Sequence, residues 1–205
     1  MTIALEIENL ACVRGQRVLF RDLCLSLGSG DMLLVEGPNG AGKTSLLRQI
    51  AGLLRLAAGS IRLQTSDGPV GDAEERGRFV GWLGHHDAVK PQMGVAEQLA
   101  FAAQLFRSRG DVSQAMRRFG LAALGQVPGQ YLSAGQKRRV ALARLTLCGR
   151  PLWLLDEPLA ALDAAGKRLV AETVAAHCAA GGIAVAATHE PLGVAGKTLR
   201  LGNAS

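Results

Sequence analysis

Residues 37–44, Gly-Pro-Asn-Gly-Ala-Gly-Lys-Thr, decide the fold of this chain. They match G-x-x-x-x-G-K-[ST], a loop whose glycines let successive backbone N–H groups point at one phosphate. The apolar run Leu33–Val35 before the loop predicts a buried strand. Residues 45–50 after it predict a helix, whose positive N-terminal end also favours a phosphate. A glycine-rich turn could match the pattern by chance, so the rest of the chain has to decide.

Two further apolar strands are predicted, and each ends beside a chemically active side chain. The strand 152–156 ends in Asp156, with Glu157 next, and the strand 183–188 is followed by His189. Asp156 is expected to hold Mg²⁺ through water. Glu157 lies where a base could orient an attacking water molecule.

A helix is predicted to begin within Leu-Ser-Ala-Gly-Gln at 132–136 and to continue through the basic residues 137–144. Ser133 is a natural N-cap for it. The free N–H groups and the dipole at such a helix start suit a γ-phosphate. Because the phosphate-binding loop already covers the near side of a nucleotide, this helix end is expected to reach it across an interface with a second copy.

Five segments, taken in order, resemble the ABC-type ATPases over nearly the whole chain: GPNGAGKT at 37–44, LSAGQ at 132–136, LLDEP at 154–158, ALD at 161–163 and TH at 188–189. The resemblance implies an α/β fold of the P-loop ABC ATPase type, with a mostly parallel core sheet, an N-terminal antiparallel β layer and a short helical subdomain at about 91–145. The chain 1–205 would form one domain. ATP and Mg²⁺ are the cofactors that the resemblance implies.

The resemblance also assigns roles to individual residues in a homodimer that closes over two ATP molecules. Lys43 would reach the β- and γ-phosphates, Thr44 and Asp156 would hold Mg²⁺, and Glu157 and His189 would act on the γ-phosphate and the attacking water. Asp163 would couple the two sites at the dimer interface, where the LSAGQ residues act on the partner's nucleotide. The nucleotide-binding set comprises Gly37, Pro38, Asn39, Gly40, Ala41, Gly42, Lys43, Thr44, Ser45, Arg14, Ser133, Gly135, Gln136 and Asp163.

Two positions depart from the family pattern. His86 occupies the place where these ATPases usually carry a glutamine that reaches Mg²⁺, and imidazole is a poor ligand for this hard cation. His86 can still hold a water or carry a signal to a partner. A metal site at His85 and His86 is the alternative, but no third or fourth ligand is evident. Arg14 occupies the slot where an aromatic residue often stacks on adenine, and a guanidinium can stack there too.

Within the family, six segments resemble the cytochrome c maturation ATPases, also described as haem-exporter ATP-binding subunits: 83–85, 90–91, 97–99, 131–145, 154–159 and 188–192. This implies a peripheral subunit on the cytoplasmic face of a bacterial inner membrane, bound to a transmembrane permease. Its ATP cycle would drive haem handling or export for c-type cytochromes. Without a C-x-x-C-H motif, the chain itself is not expected to bind haem.

Composition limits the alternatives. At 205 residues and 48% hydrophobic, the chain can bury one good core, and no apolar stretch reaches the ~18–20 residues of a membrane span. No secretory signal is recognisable. The net charge is +6, but aromatic residues make up only 4%, so a nucleic-acid-binding face is not expected. An ATPase of another exporter, or an ABC protein acting on nucleic acid or ribosomes, remains as an alternative function.

The remaining pattern predicts smaller elements. Strands are expected at 3–7, 18–20, 23–27, 59–64 and 79–83, and helices at 95–106 and 112–119. Part of the helical region carries more apolar residues than one helix face needs, so it could dock a partner. Residues 65–78 are polar and rich in glycine, which predicts a surface loop. The four scattered cysteines, Cys12, Cys24, Cys148 and Cys178, are expected to be reduced and buried.

Overall fold

A computed structural model describes residues 2–108 and 110–202. Its nine strands and six α-helices follow one another along the chain as β1 (Ile3–Arg14), β2 (Arg17–Gly28), β3 (Met32–Glu36), α1 (Lys43–Ile50), β4 (Ala58–Thr65), β5 (Gly68–Val70), α2 (Ala73–Gly77), β6 (Val80–Leu83), α3 (Val95–Leu105), α4 (Val112–Arg118), α5 (Ala134–Leu147), β7 (Leu152–Asp156), α6 (Ala164–Ala179), β8 (Ile183–Ala187) and β9 (Lys197–Arg200). Two short 3₁₀ turns, Ala122–Leu124 and Gly129–Tyr131, lie between α4 and α5. None of the described helices is both long enough and apolar enough to cross a membrane.

The central sheet has five parallel strands in the order β6-β7-β8-β3-β9. Every residue of β7 and β8 is buried, as expected for strands covered on both faces. Because side chains alternate along a strand, Leu152 and Leu154 of β7 face one core, and Trp153 and Leu155 face the other.

The two cores are closed by different layers. An antiparallel sheet in the order β2-β1-β4-β5 packs with α1 on one face of the central sheet. Helices α3, α4, α5 and α6 supply the other core, in which Phe119 and Val140 are almost completely buried. The carboxyl ends of β3, β7 and β8, where ligands bind in open α/β sheets, therefore lie between the two layers.

The α/β architecture predicted from the sequence is confirmed, but several local expectations are wrong. The two strands expected at 18–20 and 23–27 are one strand, β2, which accommodates Asp22 in the left-handed region at φ 54°. Residues 65–78 contain β5 and α2 rather than an unstructured loop. Cys24 is exposed, whereas the other three cysteines are buried; all four are unpaired.

Hydrophobic periodicity did not predict helix α2 because most of its residues are polar. Asp72 caps its N-terminus by accepting a hydrogen bond from the Glu75 N–H at 2.9 Å. The side chain of Arg76 is buried, and its guanidinium donates to the carbonyl oxygens of Gln49, Ile50 and Ile61. A charged residue in this segment is therefore a structural cap for the end of α1, which hydrophobic periodicity cannot reveal.

Candidate active site

The loop 37–44 has the backbone of a phosphate cradle. Gly37, Gly40 and Gly42 all have positive φ angles, of 144°, 82° and 101°. A Cβ on Gly37 would lie 2.3 Å from the carbonyl oxygen of Leu201, and one on Gly42 would lie 3.1 Å from the Phe20 ring. Only glycine fits both the conformation and the space at these two positions.

Helix α1 begins at Lys43, directly after the loop. The Lys43 ammonium group folds back and donates hydrogen bonds to the carbonyl oxygens of Gly37 at 2.7 Å and Pro38 at 3.3 Å. It therefore lies over the loop whose N–H groups would hold a phosphate. Ala41 belongs to the hydrophobic core, so it fixes the loop rather than lining the site.

Thr44 and Asp156 form the second part of the site. The Thr44 hydroxyl lies 3.0 Å from both carboxylate oxygens of Asp156. Burial raises the pKa of Asp156, the nearby charge of Glu157 adds to this, and the bond from Thr44 opposes it. A buried carboxylate with poor solvation is stabilised by a cation, and a hydroxyl beside a carboxylate offers the hard oxygen ligands that Mg²⁺ prefers. These residues thus fit the cation that the sequence predicted.

Glu157 is held in an unusual backbone conformation directly after β7. Its φ is +49°, a left-handed value that costs a non-glycine residue about 1–3 kcal/mol and often occurs at functional sites. Its N–H donates to the Ala187 carbonyl at 2.8 Å. Its carboxylate lies 3.0 Å from Nδ1 of His189, and the two side chains are 21% and 68% exposed, so both can meet a ligand.

A cavity of about 500 Å³ joins the phosphate loop, Asp156 and Glu157, whereas His189 is not among its lining residues. It is lined by Arg14, Leu19, Asn39, Gly40, Gly42, Lys43, Thr44, Ser45, Arg48, His85, His86, Asp156 and Glu157. The structure therefore brings Arg14, both acidic residues and residues 39, 40 and 42–45 of the predicted set to one cavity, whereas Gly37, Pro38 and Ala41 do not line it. It adds Leu19 and Arg48, which sequence reasoning did not assign to the site, and His85, which the sequence analysis considered only for the alternative metal site.

His85 and His86 both line the cavity, with ring centroids 5.4 Å apart in an edge-to-face arrangement. Against the larger opposing effect of burial, the charge of His85 lowers the pKa of Asp156. The signal that could have found His85 was its position two residues after the end of β6, next to Gly84. Among residues 2–108 and 110–202, no cluster of three or more His, Cys, Asp and Glu side chains could hold a metal ion.

The LSAGQ segment lies outside this cavity. Ser133 caps α5, accepting from the Gln136 N–H at 3.2 Å, while the Gln136 side chain accepts from the Ser133 N–H at 2.8 Å. Asp163 caps α6 through its bond with the Gly166 N–H at 2.7 Å and lies 3.3 Å from Arg139. The start of α5 and Asp163 are largely exposed, so one copy of the chain does not bring them to its own nucleotide cavity.

Comparison with known proteins identifies the family. Residues 20–160 match the family model described as ABC transporter. The chain belongs to the ABC transporter family. As a member, it is an ATP-binding ATPase with the fold described above. A putative ABC transporter ATP-binding protein from Pyrococcus furiosus shares that fold with a TM-score of 0.82 and 24% identity over 97% of both chains. A dimeric ATP-binding cassette bound to ADP and Pi has a TM-score of 0.79 and 21% identity, over 96% of this ABC ATPase and 94% of the cassette.

Curated relatives narrow the resemblance within the family. The cytochrome c biogenesis ATP-binding export protein of Rhodopseudomonas palustris (strain BisB18) is 49% identical over 97% of this ABC ATPase and 98% of its own length. The protein of the same name from Rhizobium meliloti (strain 1021) is 46% identical over 92% of both chains. The resemblance to the cytochrome c maturation ATPases, expected from the sequence, is confirmed.

Proposed function

We propose that this chain is the ATP-hydrolysing subunit of an export system for c-type cytochrome biogenesis, where its ATP cycle drives haem handling. The observation that carries the proposal is the 49% identity over nearly the full length to a protein of that name. The cavity that joins Lys43 and Thr44 of the phosphate loop with Asp156 and Glu157 supports it. The place of action would be the cytoplasmic face of a bacterial inner membrane.

In this proposal each site residue has one task. The loop N–H groups and Lys43 bind the β- and γ-phosphates, and Arg14, which lines the cavity, stacks on the base. Thr44 and Asp156 hold Mg²⁺, which offsets negative charge on the phosphates when bound. The Glu157 carboxylate orients the attacking water, and His189, 3.0 Å from it, holds that carboxylate and reaches the γ-phosphate.

The proposed active form is a homodimer, supported by the position of the LSAGQ segment. Ser133, Gly135 and Gln136 lie at the exposed start of a 14-residue helix, where N–H groups and the helix dipole suit a phosphate. Because they do not line the chain's own cavity, a second copy would present them to the nucleotide. Asp163, exposed and linked to α5 through Arg139, would lie at the same interface.

The proposed permease would dock on an apolar groove beside α3. The groove has a volume of about 240 Å³, and its lining includes Met93, Phe101, Leu105 and Phe106. Phe101 and Leu105, one turn apart on α3, are 57% and 64% exposed and extend the apolar surface of this groove. An ABC transporter ATPase with no membrane-spanning helix among its described residues needs such a surface for its membrane subunit.

The decisive experiment is a chromosomal deletion of this gene. Covalent haem attachment to c-type cytochromes needs dedicated machinery, whereas b-type haem binds without it. We therefore expect the deletion to abolish haem staining of denatured membrane proteins while the b-type absorbance spectrum persists. Complementation with Lys43→Ala should fail and complementation with the parental gene should succeed. Normal covalent haem staining in a deletion strain without a second copy would leave only the function of an ATPase for another exporter.

A further inference from the structure

One buried arginine joins three parts of the site. Arg138 lies on the second turn of α5, and its side chain is only 3% exposed. Its Nη1 donates to the Gly84 carbonyl at 3.0 Å and lies 3.1 Å from the Asp87 carboxylate, while Nη2 lies 3.3 Å from the carbonyl oxygen of Glu157. The guanidinium thus connects the signature helix, the histidine loop (residues 84–89) and the peptide of the general base.

A second arginine holds the same loop from the same helix. Arg144 donates to the carbonyl oxygens of Asp87 at 2.6 Å and Ala88 at 3.0 Å. Ala88 has a positive φ of 50°, so the loop adopts a conformation that its own residues do not favour. The position of His85 and His86 in the cavity therefore depends on contacts with α5.

The surroundings of Arg138 are poorly suited to stabilising the fold. Its Nε is buried and has no hydrogen-bond partner within the described part of the chain. A buried guanidinium loses its hydration, and a pair of similar-sized apolar residues often stabilises a protein as well or better. A buried arginine with one unsatisfied N–H, touching the peptide of Glu157, is better explained by positioning than by stability.

Resting on the proposed function, we infer that Arg138 is a positioning residue for ATP hydrolysis. By contacting both, it fixes the distance between the Glu157 peptide, which has a left-handed conformation, and the histidine loop. Helix α5 would therefore have two roles. Its N-terminus, at Ser133, would contact the nucleotide bound by the partner, and Arg138 on the same helix would hold Glu157 of its own subunit. Arg138 thereby determines where the attacking water is held, without touching ATP.

The test compares Arg138→Gln and Arg138→Lys with the parental protein, in the complex purified through a tag on this chain. Glutamine is too short to bridge Gly84 and Glu157. Lysine keeps the charge near Asp87, but its single nitrogen replaces the two, Nη1 and Nη2, that make the contacts of Arg138. We expect kcat to fall at least 10-fold in Arg138→Gln and by a smaller factor in Arg138→Lys. KM for ATP and the Kd of a fluorescent ATP analogue should stay within about 2-fold. Arg117→Gln, an exposed arginine paired only with Asp111, is the matched control and should keep the parental kcat.

A second arm asks whether Arg138 acts through Glu157. In a Glu157→Gln background, adding Arg138→Gln should leave the residual rate unchanged, because the group being positioned is already absent. A parental kcat in a folded Arg138→Gln protein overturns the inference, as does a parallel loss of affinity and kcat, which would mark a purely structural role. If Arg138→Gln does not fold, Arg138→Lys decides by the same two criteria. A parental complex that does not hydrolyse ATP would instead contradict the proposed function, so the two failures are distinguishable.

Discussion

Glu157 has the environment of a general base at the scale of single residues. Its carboxylate is half-buried, is paired with His189 at 3.0 Å and follows the buried carboxylate of Asp156. The Glu157→Gln change keeps the size of the side chain but removes the charge that orients water. We expect ATP binding to persist, hydrolysis to fall by at least about 100-fold, and an ATP-bound dimer to accumulate. Phosphate release and gel filtration with ATP measure these effects.

Lys43→Ala provides the contrast for that variant. It removes the ammonium group that covers the phosphate loop, so nucleotide affinity itself should fall and no trapped dimer should form. Hydrolysis by Glu157→Gln at the parental rate would show that the base has been assigned to the wrong residue.

Substitution of His86 tests whether the histidine loop couples ATP hydrolysis to a membrane partner. Both histidines line the cavity, and imidazole is a poor ligand for Mg²⁺. We therefore expect His86→Gln to keep or raise the basal ATPase rate of the purified chain, and to change the stimulation caused by the membrane partner. ATPase assays with and without the co-purified membrane protein separate the two effects. Complete loss of basal hydrolysis would instead identify His86 as a catalytic residue.

Residues within contiguous motifs could be predicted from the sequence, and residues that act through tertiary contacts could not. Lys43, Thr44 and Asp156 lie at fixed positions in short patterns, and the structure brings them together. Arg138 appeared only as one member of a basic helix, because its three partners lie 54, 51 and 19 residues away along the chain. Backbone carbonyls carry no sequence signal, so such contacts become visible only in the fold.

At the scale of elements, α6 is attached to the central sheet by a stacked pair of rings. The imidazole of His177 lies on the indole of Trp153, with centroids 3.8 Å apart and planes within 5°. A Cβ on Gly182 would lie 2.2 Å from this imidazole, so glycine is required directly before β8. The rings pack in the layer between α6, β7 and β8, where charge is disfavoured.

This stack predicts a pH dependence of stability. Burial lowers the pKa of His177 below its usual value, while its contact with the Ile183 carbonyl partly opposes this shift. Below about pH 6.5 the unfolded chain binds a proton that the folded chain does not, so the free energy of unfolding falls, by at most about 1.4 kcal/mol per pH unit. The contribution of neutral His177 is complete above pH 6.5 and is lost as the pH falls toward the folded pKa.

Urea unfolding of the parental protein and His177→Phe between pH 7.5 and 5.5 measures this contribution. Phenylalanine can stack on Trp153 without titrating, so the stability of the parental protein relative to the variant should decrease as the pH falls. Identical pH profiles would show that His177 is not the titrating group.

Strands and helices could be predicted from the sequence where apolar residues recur at a regular period. They could not be predicted where polar contacts stabilise the helix or strand. The buried strands β7 and β8 are recognisable as apolar runs, and the amphipathic α3 by its period. Helix α2 depends on the cap at Asp72 and on buried contacts of Arg76, which a hydrophobicity pattern interprets as a loop.

At the scale of the whole molecule, the apolar groove beside α3 should control membrane attachment. Replacing Phe101 and Leu105 together by aspartate places charge on exposed side chains, so the fold and ATP binding should be retained. Co-purification with the membrane protein should fall at least 10-fold because apolar contact area is lost. Cell fractionation measures the effect, and an equivalent double change at exposed Val13 and Val18, remote from α3, is the control. Full membrane recovery of the Phe101 and Leu105 variant would place the docking surface elsewhere.

The position of β3 has a consequence for how the molecule is made. This strand ends at Glu36, yet its two neighbours in the sheet are β8 and β9, and the carbonyl of Leu201 fills the space behind Gly37. A ribosome must add about 150 residues after β3 before its first partner exists, which takes about 7–30 s at usual elongation rates. During that time the phosphate loop has no sheet to support it. The nucleotide site, encoded early in the chain, is therefore among the last parts of the molecule to form during synthesis.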